Sequence, residues 1–170
     1  MDESALLIDA FGRLPDLIDG AIDGLTPEEL HWTPSPGANS IGWLVWHLTR
    51  IQDDHIADVL DDEQVWTSGD WAARFGLADA PDNTGYGHTP AEVASVRPES
   101  AEALRGYYDA VAQRTRKLLN DVTPRRMERV VDEAWDPPVT LGVRLVSVLA
   151  DDLQHVGQAA YVRGLLRTRR

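Results

Sequence analysis

Apolar residues recur along the chain at the three- and four-residue spacing of amphipathic helices, in four long stretches separated by segments dense in Gly, Pro and Asp. The first covers about residues 4–23, with Ala5, Ile8, Phe11, Leu14, Ile18 and Ile22 at helical spacing. Pro15 removes a backbone donor and crowds the preceding turn, which predicts a kink or break inside that stretch. A short turn of helix is predicted at residues 26–30, where Thr26 is the N-cap and Pro27 takes the first helical position. The second long helix begins at Asn39 or Ser40, both good caps, and runs to about Glu63. Its residues Ile41, Leu44, Leu48, Ile51 and Val59 fall in a band roughly 80° wide.

Residues 64–98 differ, with tryptophans, glycines and the string NTGYGHTP. Such a connection is long for a compact bundle, and long loops more often serve a function than not. Within it Thr89–Pro90–Ala91–Glu92 is a capping box, predicting a short helix to about Val96. The third long helix covers about 100–121, started near Pro98 and Ser100; short helix candidates follow around 124–130, then the loop DEAWDPPV. Thr140 caps the fourth, 141–167, whose strip Leu141, Leu145, Val148, Asp152, His155, Ala159, Val162 and Leu166 keeps a 3-4 spacing. No strand-like alternation of any length is present. The pattern predicts an all-α fold, one domain over residues 1–170, built as a four-helix bundle with a long crossover containing short helices.

Two of these helices are interrupted by polar residues where apolar ones are expected: WLVWHLTRIQDDH (43–55) and DDLQHVGQAAYVRGL (151–165). Asp151 and His155 are one helical turn apart, so both can reach one divalent cation; Asp152 sits three before His155 and nearer the centre of the strip. An unpaired buried carboxylate costs several kcal/mol, so these residues need a partner: a hydrogen-bonded core pair or a metal. His47 and His55 lie eight residues apart, about 12 Å along a helix, and cannot both ligate one ion. Periodicity alone favours His55 as the inward residue, with His47 at the edge of the apolar band. His31 reads as structural or surface. His88 lies in TGYGHTP, where Gly85 and Gly87 permit close backbone approach to a ligand, or it orders the loop.

Composition narrows the chemistry. The 170 residues carry a net charge of −12 and include a single lysine, Lys117, which disfavours nucleic acid and anionic membranes as partners. There is no cysteine, which excludes thiolate ligands, catalytic thiols and disulfides. The acidic start MDESALLIDAFG is unlike a signal peptide, and a cytoplasmic location is the expectation. Motifs for nucleotide-binding and serine hydrolase sites are absent, as are H-E-x-x-H and the paired E-x-x-H of two-metal bundles.

SIGWLVWHLTRIQDDHIADVL, TGYGHTPAEVASVR and DDLQHVGQAAYVRGLL together resemble the DinB-like superfamily, over roughly residues 5–167. They look closest to the branch of mycothiol-dependent transferases and maleylpyruvate isomerase. The resemblance implies an up-down-down-up four-helix bundle and a divalent ion, zinc or nickel, on three ligands near one end. Carried over, these are His47, Asp151 and His155, with histidine or glutamate in many relatives where this chain has Asp151. The resemblance thus selects His47 over His55, which becomes a neighbouring or alternative residue. It also implies a homodimer, formed through the second or third helix.

Two imidazoles and a carboxylate leave open positions on such an ion, as catalytic sites do. The implied chemistry is activation of an external thiol such as mycothiol for attack on an electrophilic substrate, a detoxification-type transfer, with Trp46, Trp71, Tyr86 and His88 shaping the pocket. Two other functions compete: a stress protein that binds metal or a small ligand without turnover, and metal-assisted hydrolysis with Asp54 or His55 as general base.

Overall fold

The structure, a computed structural model, describes residues 2–169. The first apolar stretch forms two helices, α1 (Glu3–Gly12) and α2 (Leu14–Ile22), broken at Arg13 because Pro15 occupies the first turn of α2. A capping box of Thr26 and Glu29 starts the short α3 (Pro27–His31). Ser40 caps α4 (Ile41–Leu60), which stops at Asp61 in the left-handed conformation, short of the predicted Glu63. The crossover holds α5 (Trp71–Arg74) and α6 (Pro90–Ser95), the latter started by the predicted Thr89–Glu92 box. Ser100 caps α7 (Ala101–Asn120), α8 is Pro124–Met127, and Thr140 caps α9 (Leu141–Thr168).

A two-stranded antiparallel hairpin, β1 (Val130–Asp132) with β2 (Val139–Thr140), precedes α9. It was not expected from the sequence, since strands of three and two residues are too short to display alternation. The predicted helix at 124–130 therefore ends at Met127.

Contacts along the helices fix their directions. Gly42 lies against Pro98, Arg50 against Tyr107 and Gln52 against Thr115, so α4 and α7 run parallel. His47 meets His155 while His55 meets Arg144, so α9 runs antiparallel to α4. Ser4 bonds Leu119 and Asp19 bonds Arg105, which sets α1–α2 antiparallel to α7. The result is the up-down-down-up bundle, with the long crossover joining its two parallel members.

The crossover is fastened by charged residues inside the core. Arg50 and Asp53 are fully buried on α4. Asp53 accepts from the backbone N–H of Val65 and Trp66 and from the Tyr107 hydroxyl, at 2.8–2.9 Å. Arg50 donates to the carbonyls of Asn83 and Pro81 at 3.0 and 2.7 Å and to Tyr107, and its guanidinium lies over the Trp66 ring. Each charge has its hydrogen bonds made, the condition under which burying an ion pair is tolerated. The same bonds hold residues 81–84 against α4 beside His47.

Candidate metal centre

His47 projects from α4 and Asp151 and His155 from α9, the two most extensively packed helices of the bundle. One ligand atom of each lies within 4.8 Å of the others, a spacing that one divalent ion can bridge. His47 is buried at 5 % exposure, and its Nδ1 is 2.6 Å from the carbonyl oxygen of Thr84. A carbonyl only accepts, so Nδ1 carries the proton and donates, leaving the Nε2 lone pair free. The His155 Nδ1 lies 3.1 Å from Oε1 of Gln158, and its Nε2 is 3.5 Å from Oδ1 of Asp151. Both histidines are thus held through Nδ1 by an outer acceptor, the arrangement that fixes tautomer and ring angle in metal sites.

The two imidazoles differ in basicity. Burial pushes His47 below its ordinary value, whereas the Asp151 carboxylate, by accepting a hydrogen bond from the protonated ring, raises His155. Asp151 has one oxygen beside His155, while its Oδ2 is buried and has no hydrogen-bond partner. That orphaned oxygen, with two imidazole nitrogens nearby, is a donor set suited to zinc, nickel or a similar cation.

The sequence pattern ranked the neighbours differently. Periodicity favoured His55 as inward, yet His47 is the more buried. The reason is that every residue from Ile41 to Arg50 is buried, the helix being covered on all sides here, so an angular band does not distinguish its faces. His55 sits about two turns further on, with Nε2 3.4 Å from Arg144 and Nδ1 3.7 Å from Asp54; burial and Arg144 lower its pKa. Asp54 is bonded by Gln64. On α9 the buried strip runs through Val156, with His155 on its shoulder. Asp152 lies in that strip at 0 % exposure, outside the cluster, and burial raises its carboxyl well above the usual range.

The loop residues have separable positions. His88 accepts from the Trp43 indole at Nδ1, 3.2 Å, and donates from Nε2 to Asn83, 2.9 Å, so both nitrogens are committed to ordering the loop. Tyr86 is 89 % exposed at the loop tip. Trp46 is fully buried between Trp66 and His88, and Trp71 packs on Tyr107. Trp43, which sequence reasoning passed over, stacks on His47 at 4.6 Å and meets His155 edge-on at 6.2 Å. Its position four residues before His47 was the available signal. Thr84 and Gln158 were also missed; a main-chain acceptor such as Thr84 leaves no trace in residue type.

Gly85, at φ +90°, explains how the loop comes so close. A Cβ there would lie 2.7 Å from Nδ1 of His47 and 2.8 Å from the Trp46 ring. Glycine alone adopts that backbone conformation and that approach together.

A sequence model of the DinB superfamily matches residues 10–159. A crystal structure described as the conserved protein of a locus from Enterococcus faecalis is similar at 31% identity, covers 96% of both chains and superposes with a TM-score of 0.87. No curated protein matches the chain.

Proposed function

We propose, from the premise that the chain belongs to the DinB superfamily, that it is a divalent-metal-dependent transferase acting with a small-molecule thiol of the mycothiol type on an electrophilic substrate. His47, Asp151 and His155 would hold the ion, zinc or nickel. The observation that carries this reading is the convergence of the three side chains, with both Nδ1 atoms tied back and Asp151 Oδ2 unpartnered. Three protein donors, two neutral and one anionic, leave positions for exogenous molecules. When bound, the ion supplies a positive centre that lowers the pKa of a thiol presented to it.

The protein's own residues do the rest. The Thr84 carbonyl and Gln158 keep the two imidazoles oriented, and Trp43 walls the cluster with an apolar face. With no cysteine in the chain, the thiol must come from outside. In the reaction a sulfur–carbon bond forms to the electrophile, the leaving group departs with its electron pair, and the thiol proton passes to solvent or leaving group. Hydrolysis has less support, because Arg144 faces the His55 nitrogen and Gln64 holds Asp54, the two candidate bases.

The test is elemental analysis of untagged protein, followed by mass spectrometry of products from thiol and electrophile mixtures. The expected result is near-stoichiometric metal lost in His47→Ala and His155→Ala but retained in His55→Ala, and a thioether product. Protein that neither carries nor takes up zinc or nickel would overturn the metal reading. A water adduct in place of the thioether would move the assignment to hydrolysis.

A further inference from the structure

The packing of α4 against α7 leaves two buried polar atoms without partners. Oε1 of Gln52 and the hydroxyl oxygen of Tyr108 are both shut off from solvent, and neither makes a hydrogen bond within the chain. Their residues are buried at 0 % and 1 % exposure. Buried polar groups in folded proteins are almost always paired, and an unmade bond in the core is costly. Both side chains line one small cavity together with Thr115, and Ile8, Phe11 and Leu119 close it with apolar groups. Its volume is about 20 Å³, where a buried water needs roughly 10–15 Å³. Gly12 and Pro15, on either side of the α1–α2 break at Arg13, border it, and Gly12 has no side chain to fill it.

The hydrogen-bonding roles around the cavity can be assigned. The Thr115 hydroxyl gives its one proton to the Val111 carbonyl at 3.1 Å, so its oxygen accepts the 2.7 Å bond from Nε2 of Gln52. That settles which end of the Gln52 amide is which, and Oε1 is an acceptor in need of a proton. Thr115 Oγ1 keeps a second lone pair. Tyr108 is a donor: burial above all, with Asp152 and Asp109 adding to it, holds its phenol far above the ordinary value, so the hydroxyl keeps its proton. Two acceptors and one donor are the complement of a water, which has two protons to give and makes about three bonds when buried. A metal cation does not suit the place. The lining offers three uncharged oxygens, where an ion such as calcium takes roughly six to eight, and its one charged side chain is Arg116.

We propose that this cavity is a binding site for one internal water, which donates to Gln52 Oε1 and Thr115 Oγ1 and accepts from the Tyr108 hydroxyl. The water ties α4 to α7 beneath the α1–α2 break, where α1 and α2 themselves contribute no polar side chain. The site is separate from the metal centre and holds whether or not an ion binds there.

The test is a high-resolution crystal structure of the parent, beside a count of long-lived waters in solution by oxygen-17 relaxation dispersion. The crystal should show a water within hydrogen-bonding distance of Gln52 Oε1 and Tyr108 Oη. The Tyr108→Phe/Gln52→Met double variant exchanges both for apolar groups of similar shape, a change close to neutral for folding. It leaves Thr115 as the sole polar partner, fewer than the two a buried water needs. The relaxation amplitude should fall by one water relative to the parent, with an unchanged circular dichroism spectrum. If the double variant does not fold, the parent crystal decides by itself. A crystal in which Tyr108 bonds Gln52 directly with no water between them, or an amplitude unchanged in the folded double variant, would overturn the inference.

Discussion

Replacing Gly85 by alanine tests how the loop supports His47. The backbone at φ +90° lies where a side chain is strained by about 1–2 kcal/mol. The added Cβ would also stand 2.7 Å from the His47 ring and 2.8 Å from Trp46, where ordinary contact begins near 3.4 Å. Neither ring can retreat, because His47 is stacked on Trp43 and Trp46 is fully buried. The loop must move out instead, and the 2.6 Å bond from His47 to Thr84 is lost with it. With His47 as a ligand in the proposed site, loss of its outer partner should lower metal affinity roughly 10- to 100-fold. Strain and the broken bond together should lower the melting temperature by several degrees. Gly87→Ala is the control: it has φ +74° but nothing within 4 Å of its Cβ, so it carries backbone strain alone. Chelator-competition titration of both variants with zinc, beside thermal unfolding, separates the two effects. If Gly85→Ala binds zinc as the parent does, or if Gly87→Ala loses as much affinity, the loop does not act through His47.

Asp53→Asn should destabilise the protein by about 3–5 kcal/mol, since it removes one partner of a buried ion pair and leaves at least one N–H of residues 65–66 without its acceptor. Urea unfolding measures it, and a change below about 1 kcal/mol would show that the crossover is not fastened by this network. His55 titrates below its ordinary 6.5 in the folded protein, chiefly through burial. As pH falls through 6.5 the unfolded chain takes up a proton that the folded one refuses, so stability present above that value is lost below it. In metal-free protein, the fall in melting temperature between pH 7.5 and 5.5 should be smaller for His55→Gln than for the parent; equal falls would refute the assignment.

The helices and their caps were readable in the chain because each is set locally: Thr26, Ser40, Thr89, Ser100 and Thr140 each accept a backbone N–H at the start of a helix. Asp151 and His155 were readable for the same reason, being one turn apart on one helix. The choice between His47 and His55 was not set by periodicity, because it depends on residues 83–88 folding back over α4 from more than thirty positions away. Asp152 shows the converse. Its place in the apolar strip was correct, yet burial there removed it from the cluster and left Asp151 on the shoulder. The family resemblance pointed to His47, the histidine that the structure places within reach of Asp151 and His155, because it carries information about packing that a single helix does not.

The crossover's attachments have a consequence for where the chain can be opened. Backbone bonds from Arg97 to Phe75 and from Glu99 to Arg74 clamp its ends, and Arg50 and His47 grip residues 81, 83 and 84. Between these anchors Ala78 and Asp79 are exposed, and the backbone bonds of residues 77–80 reach only as far as Ala72 and Asn83. New termini at this point would divide the protein into one piece bearing His47 and another bearing Asp151 and His155, with the grip on the loop shared between them. A pair of such fragments would be a split protein whose donor set exists only once the halves have found each other.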